Sequence, residues 1–414
     1  MNPISGGLAW KFQKNRHLLA ALLLRNAPRF VYQSHPEKLV GEIPVFTFHT
    51  ALPDWFEEQC RHLAANGYRT LTADEFLAAL DHPARCPERS VLLTFDDGIK
   101  HVWTVAYPLL KKYGLKATCF LIPGCIPPDD HRIRPTLEDF WRGQASQSDI
   151  LSLRDGCPLA TWDEIRLMHA SGVVDFQSHT LHHSLVFTSG DIFDFIHPHY
   201  DAHFYGNIHV PLYMEGGQEV YSRTPVLGMP IYRAAPRMSA ARRFFDDETV
   251  RAACVARVAK EGPASFFARS GWRSILRALV REVRSTGGLR ESYETAAERN
   301  RSIHAELVAS REAIEARLPG KDVRHLCYPW YEAGDFAMEA SRRAGFRANY
   351  FGQLPGRPSN RPGDDPYRIV RVEDVFLQRL PGQGRFGMAD LLRKLRELHG
   401  FTPGGGLRGG EVPS

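Results

Sequence analysis

The stretch on which the fold turns is "VLLTFDDGIK", residues 91–100. Val91 to Phe95 is an unbroken run of apolar and β-branched residues, the composition of a strand buried on both faces. The run stops at Asp96-Asp97-Gly98. Asp-Gly pairs suit turns, so the plain reading is a strand ending in a turn. The sharper reading is that the strand delivers two carboxylates to a reaction centre. What the neighbouring segments bring beside those carboxylates decides between the two.

Outward from this strand, the pattern alternates. Ile43 to Phe48 reads as a strand followed by His49, and Pro53 to Asn66 as a helix ended by Gly67. Thr72 to Leu80 is a second helix, with Thr72 as its cap and Glu75 three residues later. Val102, Val105, Ala106, Leu109, Leu110 and Tyr113 follow helical spacing up to Gly114. Ala117 to Ile122 is a strand, 123–160 a Pro-, Asp- and Arg-rich loop, Thr161 to Ala170 a helix and Val173 to Gln177 a strand. Strands alternating with helices imply a parallel α/β sheet or barrel.

Residues 185–290 break the alternation and read as an insertion. It holds the aromatic stretch "HPHYDAHFYG" (197–206) and helical segments near Asp247–Lys260 and Trp272–Arg284. Alternation then resumes. A long helix carries Ile303, Leu307, Ile314 and Leu318 on one face, followed by a strand at Val323–Tyr328 and a helix at Phe336–Ala344. Further strands are expected at Phe346–Phe351 and Arg368–Val372, and a last helix at Met388–His399. The expected organisation is a helical extension over 1–40, barrel over 41–184, an insertion over 185–290 that could act as a lid, barrel again over 291–400, and a glycine-rich disordered tail over 401–414.

Composition narrows the class. The chain has 414 residues, 43% hydrophobic and 24% charged, with a formal charge of +5. That is ordinary for a globular protein and holds no basic block of the kind nucleic acid requires. Seven cysteines without a CxxC pair argue against a disulfide framework. Lys11, Lys14 and Arg16 precede a short apolar run, Leu18–Leu24, which Arg25 ends. The run is too short to span a bilayer and lacks a small-residue cleavage site. The expectation is an amphipathic helix packed on the domain, with peripheral membrane contact through residues 8–30 as the second reading and a cytoplasmic location.

In parallel α/β folds, functional groups collect at the C-terminal ends of strands. Three strands here end in unusual polar residues: Asp96-Asp97-Gly98, "SHTLHH" (178–183) and "CYPWY" (327–331). His179 and His183 are spaced i, i+4, which on a helical turn puts both imidazoles on one side. One carboxylate added to two imidazoles gives three protein ligands and an open position, the arrangement of a catalytic divalent metal. The second carboxylate is then a general base.

These residues resemble the polysaccharide deacetylases, carbohydrate esterase family four. "TFDDG" and His-Thr-x-x-His look like that family's first two motifs, and the resemblance covers about Ile43 to Val372 without the insertion. It implies a distorted (β/α)7-type barrel and metal-dependent hydrolysis of N-acetyl groups on a sugar or glycan. Carried over, Asp96 is the general base, and Asp97, His179 and His183 are ligands of a divalent metal, usually zinc. Thr180 supports the ligands or contacts substrate. The third motif, "LCYPWYEAG", supplies the N–H that holds the oxyanion, with Tyr328 or a near neighbour as donor. Pro329, Trp330, Tyr331 and His49 complete the expected substrate contacts.

This chain also departs from the family. Many members carry an arginine in the third motif that pairs with the base. Cys327 stands in that place here, and Arg371 in "RIVRVED" is the residue that could supply the charge. No convincing Leu-x-His copy supplies the general acid; His399 and His49 are the alternatives. His197, His199, His203 and His209 in the insertion suggest a second metal site or a sugar-stacking wall. Two other functions stay open: hydrolysis of another non-peptide C–N bond, in a cyclic amide or ureide, and a non-catalytic binding module.

Overall fold

Strand parity sorts the side chains of this chain into two cores. In the computed structural model the strands follow as β1 (Val45–Phe48), β2 (Arg69–Leu71), β3 (Ser90–Phe95), β4 (Ala117–Leu121) and β5 (Val174–Ser178). The insertion adds β6 (Leu185–Phe195), β7 (Tyr213–Glu215), β8 (Gln218–Val220), β9 (Pro230–Pro236), β10 (Phe244–Phe245) and β11 (Ser292–Tyr293). The chain then returns as β12 (His325–Cys327), β13 (Ala348–Tyr350) and β14 (Val372–Glu373). The structure describes residues 22–399 apart from 23–24, 35, 37, 40, 83–86, 154–156, 201–212, 217, 221–225 and 288–291.

β13, β12, β5, β4, β3, β1 and β14 pair in that order, and β2 pairs with the first half of β3. Every pairing is parallel. The two edges meet: Tyr350 of β13 bridges Ile369, and three residues later Val372 pairs with Phe46 of β1. The sheet is therefore a distorted (β/α) barrel closed by residues 369–373.

Along β3, Val91, Leu93 and Phe95 pack outward against the helices, whereas Leu92 packs inward. The same alternation places Val45 inside and Phe46 and Phe48 outside, and Cys327 inside and Leu326 outside. Each fully buried Leu or Phe contributes about 1.5–3 kcal/mol. The helix Ala73–Asp81 contributes Phe76, Ala79 and Leu80 to the inner cluster. It starts in a capping box between Thr72 and Glu75, as its sequence predicts. Because Thr94 and Asp96 share the parity of Leu92, both face inward.

Several elements differ from their sequence reading. The stretch 123–160 is not all loop: it holds helices at Leu137–Trp141 and Gln147–Leu151, the second opened by a Ser146–Asp149 capping box. β2 has three residues, too few to show a periodicity. The strand expected over Arg368–Val372 pairs with β1 only at Val372–Glu373. The reason is Asn360, whose side chain takes both the N–H (2.8 Å) and the carbonyl (2.7 Å) of Val370. Asn360 also accepts the N–H of Ile43 on its own carbonyl, so it ties the closing segment to the start of the barrel.

The insertion has apolar clusters of its own, one between β6, β7 and β9 and one under the helices Glu248–Glu261 and Trp272–Gly287. Of the expected membrane-contact stretch, residues 8–21 lie outside the described residues. Its far end, Ala27 and Phe30, is buried in the outer core. Among the described residues no helix is long and apolar enough to cross a membrane. The tail 401–414 lies outside the described residues.

Asn360→Ala leaves two buried backbone groups of Val370 without partners. Urea denaturation is expected to show a loss of about 2–4 kcal/mol. A loss below about 1 kcal/mol would mean that the closing segment does not depend on this side chain.

Candidate active site

β1, β3, β5 and β12 end at one mouth of the barrel, and each delivers a polar residue there. β3 delivers the aspartates. Asp96 continues the strand inward, and its N–H is given to the Phe48 carbonyl at 2.9 Å. Asp97 then adopts φ 69° and Gly98 φ 76°, which turns the chain so that adjacent carboxylates take different surroundings. At that φ glycine is the unstrained residue, and a Cβ on Gly98 would also lie 2.6 Å from Leu121 Cδ2 on β4. A π-helix, Val102–Ala106, follows directly; such wide turns recur beside functional sites.

Asp97 Oδ1 lies 3.4 Å from His179 Nε2 and 3.7 Å from His183 Nε2. Metal bonds of about 2.1 Å at tetrahedral angles separate ligand atoms by roughly 3.4 Å, so the three atoms have the spacing of a zinc-type site. The chemistry of the donors agrees. Asp97 is fully buried, and among the described residues its Oδ1 has no hydrogen-bond partner. Burial and the charge of Asp96 push its carboxyl well above the ordinary range, as expected of a carboxylate awaiting a cation. His179 Nδ1 meets the Cys327 carbonyl at 2.8 Å, which places the proton on Nδ1 and the lone pair on Nε2. Burial draws His179 below its usual pKa, which favours the neutral ring a metal needs.

The histidines do not sit on a helical turn as their spacing suggested. They lie in an irregular loop in which Thr180 (φ 66°) and His183 (φ 56°) are left-handed. The Thr180 hydroxyl accepts the His183 N–H at 3.1 Å and holds that loop. Gly124 lets the loop after β4 pass it, since a Cβ there would lie 2.7 Å from the Leu181 carbonyl. Asp97, Thr180, His183, Trp330 and Tyr331 are all non-glycine residues at positive φ. Such residues cost about 1–3 kcal/mol each and gather where function requires them.

Asp96 has a different partner. Arg371, on the closing segment, donates to Asp96 Oδ1 at 2.6 Å and Oδ2 at 2.8 Å. It also donates to Thr94 Oγ1 at 3.2 Å and to the Phe351 carbonyl at 3.1 Å. Its guanidinium lies between the rings of Phe120 and Tyr331, 5.7 and 5.4 Å from their centroids. Burial alone would raise the Asp96 pKa, but the charge and hydrogen bonds of Arg371 hold it well below the usual carboxylate range. A second trio, Asp96, His179 and Cys327, also has metal-ligand spacing. It is the poorer site: both Asp96 oxygens are engaged, and burial pushes the Cys327 thiol well above its usual range.

A family profile described as polysaccharide deacetylase matches residues 84–192, the segment that holds both aspartates and both histidines. Over that segment the chain is similar to the polysaccharide deacetylases. YxkH of Bacillus subtilis, a candidate polysaccharide deacetylase, is 45% identical over 76 residues, 18% of this chain and 27% of that protein. A poly-β-1,6-N-acetyl-D-glucosamine N-deacetylase of Staphylococcus aureus is 29% identical over 126 residues, 30% of this chain and 35% of that one. The chain thus spans about a third or less of the curated relatives it matches. A de-N-acetylase structure from Aggregatibacter actinomycetemcomitans aligns with 86% of this chain and 99% of that one. Its TM-score is 0.48 at 16% identity, too loose to add to what the sheet order shows.

Within this site some expected contacts fall away. The Tyr328 N–H is donated to the Tyr350 carbonyl at 3.1 Å and its hydroxyl to Ala337 at 3.1 Å. Tyr328 is therefore a core residue and cannot be the oxyanion donor. Thr180 and Pro329 are buried and turn no surface to a substrate. Trp330 lies 5.0 Å from the His183 ring, and Tyr331 covers Arg371. His49 Nε2 stands 3.9 Å from Asp96 Oδ2 and is 27% exposed. The His399 side chain, like His203 and His209, lies outside the described residues. His197 and His199 are described and belong to none of the metal-type clusters among the described residues. Sequence reading missed Phe120 and Asn360, which hold Arg371 from below and behind; neither carries a local signal of that role.

Asp97→Ala is expected to abolish stoichiometric metal binding in calorimetry, whereas Asp96→Asn retains it. Equal loss in both variants would contradict the division between them.

Proposed function

We propose that this chain is a metal-dependent hydrolase that removes N-acetyl groups from an amino sugar or glycan. The observation that carries the reading is the convergence of Asp97, His179 and His183 beside a buried, arginine-paired Asp96. The deacetylase family and the N-acetylglucosamine polymer in the name of the Staphylococcus aureus relative support an N-acetylated glycan as substrate. A divalent cation held by these three residues, zinc by its donor set, lowers the pKa of water toward ~7 and polarises a carbonyl.

Asp96 accepts the proton of the attacking water. Arg371 keeps Asp96 ionised and aimed, since both its oxygens are fixed. As the acetamide carbon gains its new C–O bond, the C–N bond breaks and the amine must receive a proton. His49 is the donor the geometry favours, being partly exposed and beside Asp96. Trp330 replaces Tyr328 as the residue whose N–H would face the oxyanion, because its ring already packs on His183. The products are acetate and a free amino sugar.

The cyclic amide or ureide alternative drew on the missing arginine of the third motif. Arg371 standing against Asp96 weakens it. Acetate release from N-acetylglucosamine oligomers by the metal-loaded protein, set against a panel of cyclic amides, tests the choice. No acetate from any oligomer would sink the proposal.

Two variants probe the roles. Arg371→Met removes the charge that depresses the Asp96 pKa and leaves the burial that raises it, so the acid limb of kcat/KM should move to higher pH. Breaking such a buried pair also costs about 3–5 kcal/mol. In the wild type this stabilisation is complete above about pH 4 and is lost as pH falls further. His49→Ala should lower kcat about 100-fold or more with metal content unchanged; a loss confined to KM would make His49 a binding residue.

A further inference from the structure

The insertion carries a cavity that the deacetylase site does not use. β6 leaves the site at Leu185, two residues after His183, and pairs with β9 from Leu185–Pro236 to Phe195–Pro230. The six steps along β9 span about 20 Å. Just beyond the end of β6, His197 and His199 join Phe267 and Trp272 around a cavity of about 280 Å³. Trp272 forms its floor, with the His197 ring 5.3 Å away and Phe267 edge-on at 5.0 Å. His199 stands exposed at the rim.

The charge at this rim is cancelled. Arg273 spends two nitrogens on the Asp194 carboxylate, at 2.8 and 3.0 Å, and its Nη2 also meets His197 Nε2 at 3.3 Å. Burial draws His197 below its usual pKa, so its ring adds no charge at neutral pH. Among the described residues no lysine or arginine lines the cavity to draw a phosphate or carboxylate. A neutral pyranose finds what it needs. Its C–H face suits the electron-rich faces of aromatic rings, and its hydroxyls suit imidazole nitrogens and a carboxylate edge. The volume suits a single ring better than a drug-sized ligand.

We propose that this cavity is a distal subsite for one neutral sugar unit of the same glycan chain whose acetamide is presented to Asp97, His179 and His183. The proposal rests on the function proposed above. It makes the insertion a ruler: chains long enough to bridge about 20 Å gain a second point of attachment, and shorter ones do not.

The test compares the metal-loaded wild type with Phe267→Ala and His199→Ala on short and on spanning N-acetylglucosamine oligomers. Both variants should lower kcat/KM for spanning oligomers roughly three- to tenfold, through KM, and leave short oligomers and metal content unchanged. Equal losses on short and long substrates, or no loss on either, would overturn the subsite. If the wild type releases no acetate at all, the reading of the active site fails. Calorimetric binding of the spanning oligomer then still decides the cavity: weaker binding by Phe267→Ala supports it, and equal binding refutes it.

Discussion

A carboxylate and a guanidinium withdrawn from water at the mouth of the barrel set the terms for everything around them. Two such charges are stable together only if their hydrogen bonds are satisfied and their geometry is held. Asp96 and Arg371 meet that condition through both oxygens of one and two nitrogens of the other. Phe120 and Tyr331 close off the faces of the guanidinium. Thr94 and the Phe351 carbonyl take its remaining contacts. The closing segment that carries Arg371 is in turn fixed by Asn360. The barrel's closure and the ionisation of Asp96 are therefore one structural problem.

The same pair explains why two adjacent aspartates behave so differently. Asp96 has its counter-charge within the protein, and Asp97 does not. Asp97 is equally buried, lies next to the Asp96 carboxylate, and faces two imidazole nitrogens. A cation from outside would balance it. The left-handed turn at Asp97 and Gly98 creates this asymmetry by rotating the second carboxylate toward β5 while the first stays in line with β3.

The insertion meets the site through specific contacts. The Arg237 N–H reaches the Ser184 carbonyl next to His183, and the buried Arg237–Glu294 pair ties the insertion to the segment that follows it. Gly334 sits tightly against Ala240, and Trp330 packs on the insertion's core. These contacts hold the third-motif loop in its strained conformation over the ligands. The insertion is thus a buttress of the site as well as the carrier of a cavity farther out.

Much of this was written into short windows of sequence. The period of the apolar residues gave the strands and helices their order. The capping box at Thr72 marked a helix start to the residue. "TFDDG" and "HTLHH" named both aspartates and both histidines, because a catalytic strand end must carry its chemistry in consecutive residues. What the windows could not hold is who meets whom across the barrel. Arg371 lies 275 positions from Asp96, and nothing in "RIVRVED" distinguishes a base-pairing arginine from a surface one. Tyr328 looked like a donor until the register with β13 consumed its N–H, and the His pair looked helical until Thr180 bent the loop. Sequence by itself determined the local periods and the reactive side chains, which depend on neighbours a few residues away. Only the tertiary structure decided their partners, because closing a parallel barrel joins residues whose separation along the chain leaves no local trace.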